Sequence, residues 1–141
     1  MKAIVVYEGS TEKVAQAICS GLKQSGIADA ECKAIGNVTP ADLQKADYYV
    51  VGGPSSGFLA GRKAQGLLRK AAGTKGKAVL FDTRVVGSSS GLAEKMAGIV
   101  KGGNGNVAAM TYFSLGPDKA LMPGEESLAV VYGRNLATWM Q

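Results

Sequence analysis

The sequence predicts an α/β fold in three layers, a parallel sheet between two layers of helices, and three observations predict it. Short apolar runs rich in β-branched residues alternate with stretches in which apolar residues recur every three or four positions. Glycine, serine or proline closes nearly every run. At 141 residues, 46% hydrophobic and 19% charged, the chain suits one globular domain, residues 1–141, with its own core. The longest apolar runs fall far short of the roughly 18 residues that mark a membrane span. Met1-Lys2 leads into a short run ending at Tyr7 and then polar Glu8, which is not a secretory leader, so a cytoplasmic location without a membrane anchor is expected.

The elements follow in order. Lys2 to Tyr7, with Ile4, Val5 and Val6, suits a strand covered on both faces, and Gly9-Ser10-Thr11 breaks it. Ser10 or Thr11 begins a helix in which Val14, Ile18 and Leu22, flanked by Ala15 and Cys19, draw one apolar stripe; Gly26 lies past its end. Ala30 to Ile35 is a weaker strand. Thr39-Pro40-Ala41-Asp42-Leu43 has a capping threonine and a proline at the first helical position, enough for one turn. Tyr48 to Val51 is the third strand, stopped by Gly52-Gly53-Pro54, and Leu59 to Ala72 reads as a helix with Leu67 and Leu68 in the core. Ala78 to Phe81 is the fourth strand, closed by Asp82. A helix with Leu92, Met96, Ile99 and Val100 on one side ends at Gly102-Gly103, and Val107 to Phe113 is the fifth strand. The last helix, Glu125 to Met140, carries Leu128, Val131, Tyr132, Leu136 and Trp139 at 3–4 spacing. Strands alternating with helices imply βαβ units, whose right-handed crossovers place helices on both faces of a parallel sheet.

The sequence has no histidine, so Ser-His and Cys-His nucleophilic pairs and His-ligated metal sites are excluded, and no catalytic or metal-binding residue is expected. Cys19 and Cys32 belong to no Cys-x-x-Cys pair and read as small buried hydrophobes. Glycine is 20 of 141 residues, about twice its usual share. Gly26, Gly36, Gly73, Gly76, Gly102, Gly103 and Gly105 punctuate elements, whereas Gly9, Gly53, Gly57, Gly87 and Gly91 fall in loops that follow strands.

Open parallel sheets bind ligands beyond the carboxyl ends of their strands, where strand order reverses. That rule selects the loops Glu8 to Thr11, Pro54 to Phe58 and Asp82 to Gly91. Their glycines allow close backbone approach, and hydroxyls and helix-start N–H groups suit an anion. The candidate residues are Gly9, Ser10, Thr11 and Glu12 in the first loop, Pro54, Ser55, Ser56, Gly57 and Phe58 in the second, and Asp82, Thr83, Arg84, Gly87 and Ser88 in the third.

Ile4-Val5-Val6-Tyr7 followed by Gly9-Ser10-Thr11-Glu12-Lys13-Val14-Ala15 resembles the first strand, phosphate loop and first helix of flavodoxin-like proteins. Ala46-Asp47 through Val51-Gly52-Gly53-Pro54-Ser55 is similar to their third strand and the loop beside the flavin ring. Phe81-Asp82-Thr83-Arg84, Gly87-Ser88 and Pro123-Gly124-Glu125 are similar to a single-domain branch of the family. The resemblance spans nearly the whole chain and implies the sheet order 2-1-3-4-5, with flavin mononucleotide (FMN) held without a covalent bond. It also implies electron transfer between redox partners.

Against the family pattern the first loop is about two residues short, and Glu8 stands where a hydroxyl is expected, so a cation such as Arg84 or Lys13 is needed beside a phosphate. Arg84 reads equally as an ion pair with Asp82. Phe58 either flanks a flavin ring or anchors its helix, and the loop after the fourth strand offers only Val85 and Val86 for the second ring face. The net charge is +5, with Arg62, Lys63, Arg69, Lys70, Lys75 and Lys77 in a stretch free of acids. An acidic partner face is therefore expected, in a monomer or homodimer, while the stretch lacks the aromatics and modules of nucleic-acid readers. Two other functions fit the same features. One is a flavodoxin fold whose flavin site has degenerated and which serves as a binding or assembly module. The other is an FMN-dependent NAD(P)H reductase.

Overall fold

The computed structural model describes residues 1–27, 29–57, 59–88 and 91–140. In chain order the elements are β1 (Lys2–Tyr7), a 3-10 turn (Gly9–Thr11), α1 (Glu12–Gln24), β2 (Asp29–Ala34), a 3-10 turn (Ile35–Asn37) and α2 (Pro40–Gln44). β3 (Tyr48–Pro54), α3 (Arg62–Lys70), β4 (Lys77–Val85), α4 (Leu92–Gly102), β5 (Asn106–Leu115) and α5 (Glu125–Met140) follow. The five strands are parallel in the order β2-β1-β3-β4-β5, as expected, so the chain reverses direction across the sheet between β1 and β3.

Because successive strand residues point to opposite faces, the β-branched runs feed two cores. Ala3 and Val5 of β1, Val50 of β3, and Val79 and Phe81 of β4 pack with Val14, Ile18 and Leu22 of α1 and Ala129, Leu136 and Ala137 of α5. Ile4, Val6, Tyr49, Val51, Ala78 and Leu80 face the other way, onto Leu43, Leu67, Leu68, Leu92, Met96 and Val100. Register aligns the layers: Val5 pairs with Val50 and Val50 with Val79, while Val6 pairs with Val51 and Val51 with Leu80. Beyond them Gly52 pairs with Phe81, and a Cβ at Gly52 would fall inside the Phe81 ring. The short helix at Pro40 forms as its residues predict, with Thr39 N–H donating to Asp42 Oδ2 at 2.8 Å.

Four expectations need correction. α3 starts at Arg62, not near Leu59, because Leu59 (φ 66°) and Gly61 (φ 73°) are left-handed and cannot continue a right-handed helix. β4 runs on to Val85, since Asp82, Thr83 and Arg84 pair with Tyr112, Phe113 and Ser114 despite their polarity, and β5 is longer to match. α5 is rotated from its expected face: Leu128, Val131 and Trp139 are exposed, and the buried face is Ala129, Gly133, Leu136, Ala137 and Met140. Small residues let α5 approach α1, where a Cβ at Gly133 would meet the Ile18 carbonyl and one at Gly21 the Val130 carbonyl. Cys19 is buried as expected, but Cys32 on the edge strand β2 is only half-buried. Among the described residues no helix is long and apolar enough to cross a membrane.

Candidate functional site

The reversal point lies between β1 and β3, and the residues that leave these strands divide by face. Glu8 continues the face of Ile4 and Val6. Its N–H donates to Gly52 O (3.0 Å), and its Oε1 accepts the N–H of Ala64 (2.8 Å) in the first turn of α3. A carboxylate there satisfies an open donor and complements the positive end of the helix dipole. Glu8 is thus turned away from the start of α1. Gly9 (φ +62°) then takes a left-handed conformation in which a Cβ would lie 3.6 Å from Pro54. The hydroxyl of buried Thr11 donates to Glu8 O (2.9 Å) and closes the turn. Glu12 accepts from Tyr7 Oη (3.0 Å) and Gln16 Nε2 (3.2 Å), and the bond to Glu12 holds the Tyr7 phenol above its ordinary value. Ser10 and Lys13 remain at the surface, at a helix start whose first N–H groups have no acceptor within the helix.

At the end of β4, Asp82 and Arg84 share a face two residues apart and are buried, at 0% and 4% exposure. Arg84 Nε and Nη2 donate to Asp82 Oδ1 (2.9 Å) and Oδ2 (2.7 Å), and Nη2 also reaches Glu94 Oε1 (2.6 Å). Its guanidinium stacks 4.2 Å from the Tyr112 ring centre. The two carboxylates also cap α4, together with Ser55: Asp82 Oδ2 takes the N–H of Ala93 (2.8 Å), Glu94 Oε2 that of Gly91 (2.8 Å), and Ser55 Oγ that of Leu92 (2.9 Å). The bonds to Asp82 drive the Arg84 pKa further up against the opposing effect of burial. Burial pushes Glu94 up, but the hydrogen bonds from Arg84 and Gly91 outweigh it and leave the carboxyl below its ordinary range. Arg84 is therefore a buried structural cation rather than the surface group that its ion pair with Asp82 suggested.

Apart from Thr83, the described residues among those predicted from sequence fall into two sets. Thr11, Glu12, Ser55, Asp82 and Arg84 have side chains engaged in the internal bonds just described. Gly9, Ser10, Ser56, Gly57, Gly87 and Ser88 stand on the rim with half-buried Pro54, joined there by exposed Leu59 and Val86. Phe58 lies outside the described residues. Leu92 fills the floor, 2.9 Å from where a Gly53 Cβ would lie and in the space a Gly61 Cβ would need.

Thr83 is unlike its neighbours. It points to the α1/α5 face, is 2% exposed, and its hydroxyl has no hydrogen-bond partner among the described residues. It lines a cavity of about 270 Å³ with Ser10, Lys13, Val14, Leu115, Lys119, Ala120 and Leu121. A larger cavity, about 520 Å³, lies by the amino ends of β3, β4 and β5, lined by Tyr48, Lys77, Asn106 and Trp139, far from the reversal point.

Sequence reasoning missed Leu92, Glu94 and Lys119. The spacing Gly91-x-x-Glu94 is a capping signal that would have found Glu94. Nothing local marks Lys119, which reaches the site only because the β5–α5 loop folds back. Chemically the arrangement offers N–H groups, hydroxyls and ammonium groups suited to holding an anion; among the described residues no group of three or more Cys, Asp or Glu is placed to hold a metal.

Solved structures share this architecture from end to end. A flavodoxin from the domain Archaea superposes with a TM-score of 0.73 at 19% identity, covering 99% of this chain and 98% of its own. Flavodoxin 1 from Bacillus cereus gives 0.77 at 11% identity, covering 98% of each chain. The two-electron reduced flavodoxin of Megasphaera elsdenii gives 0.74 at 22% identity, covering 98% of this chain and 99% of its own. The fold is flavodoxin-like. No family model matches the sequence, and no curated protein matches it.

Proposed function

We propose that this chain is a small FMN protein that holds the cofactor without a covalent bond and passes electrons between redox partners. One observation carries the reading. At the reversal point Glu8 is turned onto α3, which leaves the start of α1 with Ser10 and Lys13 facing out beside the unpartnered Thr83. That end fits a phosphate. The ring end is supported by the loops that follow β3 and β4, where Ser56 and Gly57, and Gly87 and Ser88, lie towards the surface and Leu59 and Val86 supply exposed apolar surface. Gly57 (φ +112°) and Gly87 (φ +96°) let the backbone turn there as other residues do not.

When bound, the flavin supplies one- and two-electron chemistry, and the protein contributes binding, orientation and electrostatics. Ser55, Asp82 and Arg84 would hold the floor rigid beneath the ligand. The exposed cations Arg62, Lys63, Arg69 and Lys70 of α3, with Lys75 in the following loop and Lys77 at the start of β4, favour a redox partner with an acidic face through long-range steering. Purified protein should be yellow, or should take up FMN and quench its fluorescence. Colourless protein that leaves FMN fluorescence unchanged overturns the reading.

A second reading, a flavodoxin fold that binds other proteins and no flavin, is favoured by one observation. Leu92 is pressed against Gly53 and Gly61, so the floor between the second and third loops is closed. The same titration separates the two, because only the first predicts saturable FMN uptake.

A further inference from the structure

We propose that the free edge of β5, with the exposed stripe of α5 beside it, is an interface for a second copy of this chain, formed by antiparallel pairing of the two β5 strands. β5 pairs with β4 alone and so ends the sheet. Its carboxyl end is closed. Ser114 N–H donates to Glu125 Oε1 (3.2 Å) and Ser114 O accepts the N–H of Met122 (3.0 Å), so Ser114 directs both backbone groups away from β4. Alternate residues of a strand point their backbone groups the same way, which turns those of Tyr112 and Met110 outward, where no described strand meets them. A row of open N–H and C=O groups is a template for another strand unless charge, proline or cover guards it. The opposite edge, β2, is guarded, since Asp29, Glu31 and Lys33 punctuate it and Glu31 pairs with Lys33 at 3.8 Å. From Asn106 to Leu115 β5 has no charged residue and no proline. A bulge falls near its start, opposite Ala78 and Val79, and from Ala109 to Leu115 the pairing with β4 is unbroken.

Both faces beside the open edge are apolar. On one, Met110 and Tyr112 are half exposed. On the other, Thr111, Phe113, Leu128, Val131 and Tyr132 line a cavity of about 270 Å³ between β5 and α5, and Trp139, 63% exposed, reaches the start of β5 beside Asn106 and Ala108. Leu128, Val131 and Trp139 are residues whose spacing suggested a core, and a second copy gives them that burial. Charge selects the occupant. Lys77, paired with Asn106, and Lys101, whose carbonyl accepts the N–H of Asn104, stand by the amino end of the edge. Glu125 and Glu126 open α5 at its carboxyl end, where Asp118 and Lys119 of the intervening loop cancel. A two-fold axis normal to the sheet runs the strands antiparallel and sets the basic end of each copy against the acidic end of the other. It also lays the two α5 stripes on one face and the Met110 and Tyr112 side chains on the other. A foreign strand would bring hydrogen bonds but neither the matched ends nor the second stripe. Because β2 is guarded, the joined sheet stops at two copies.

The interface uses no residue of the reversal point and does not rest on the FMN reading. Sedimentation of the full chain across a range of concentrations should resolve a monomer–dimer equilibrium without larger species. Met110→Lys, on the open edge, and Val131→Glu, on the stripe, should each weaken the dimer by about tenfold or more while the circular dichroism stays that of the parent. Gln44→Lys, which adds a charge to exposed α2, should leave it unchanged. Lys101→Glu and Glu126→Lys should each weaken it, and the double variant should restore it. In hydrogen exchange the Tyr112 amide should be protected in the dimer and exchange freely in the Val131→Glu monomer. A chain monomeric at every concentration overturns the proposal, whether or not a foreign extended peptide protects the same amide. So does a dimer indifferent to Met110→Lys and Val131→Glu, or one whose Tyr112 amide exchanges freely. A double charge variant weaker than either single change overturns the antiparallel arrangement, and growth beyond two copies overturns the two-fold closure.

Discussion

Asp82 and Arg84 show how one strand residue can serve both sheet and helix. Asp82 neutralises a buried guanidinium and caps α4 with the same carboxylate, so removing Arg84 would leave that charge buried with little besides the Ala93 N–H. Arg84→Ala should lower stability by about 3–5 kcal/mol in urea unfolding, and the double variant with Asp82→Asn should cost less than that single change. Tyr132 is the converse case. Its hydroxyl is buried without a partner among the described residues while its ring packs edge-on to Phe113 at 6.2 Å, so Tyr132→Phe keeps the ring contact and should stabilise by about 1 kcal/mol. Burial pushes its pKa from 10.0 up to about 12. Below pH 10 the phenol is neutral in both folded and unfolded chains. Between pH 10 and about 12 the unfolded chain ionises first, so stability falls as pH rises, and the phenylalanine variant should lack that part of the decline. A shallower fall in the variant than in the parent, by thermal melts across this range, checks the sign.

At the scale of elements, the contact between α1 and α5 depends on absent side chains. A Cβ at Gly21 would fall on the Val130 carbonyl and crowd Arg134 N, at 2.9 Å, so Gly21→Ala should separate the helices and destabilise by about 1–3 kcal/mol despite alanine's higher helix propensity. Gly98→Ala on the exposed face of α4, where a Cβ meets nothing within 4 Å, should instead stabilise by up to about 1 kcal/mol. Opposite signs in denaturant unfolding would confirm that packing, not propensity, sets the first. The 3–4 spacing of Leu128, Val131 and Trp139 made α5 legible as a helix but pointed to the wrong face. Periodicity counts apolar residues, whereas the close crossing selected the narrow side with Ala129 and Gly133. The end of β4 was misread for a related reason: polar Asp82, Thr83 and Arg84 look like a loop until β5 is available to pair with them.

Across the whole molecule, the alternation of apolar runs fixed five strands and their helices, because burial on both faces of a parallel sheet demands that pattern. The loops that gather at the reversal point were legible too, since glycine and hydroxyl residues mark where chain leaves a strand. What local sequence could not show is the fate of each side chain. Glu8, next to a helix start in sequence, serves a different helix in space, and Arg84 is enclosed by Glu94 and Tyr112. Lys119 comes to Ser10 and Lys13 from the far side of the chain. The sequence by itself determined the fold class, the core stripe of α1 and the loops that leave the strands beside the reversal point, all of them consequences of short-range periodicity and turn chemistry. Only the tertiary structure decided which charges are free and which are engaged, because an ion pair or a cavity is formed by residues whose distance along the chain carries no information about their distance in space.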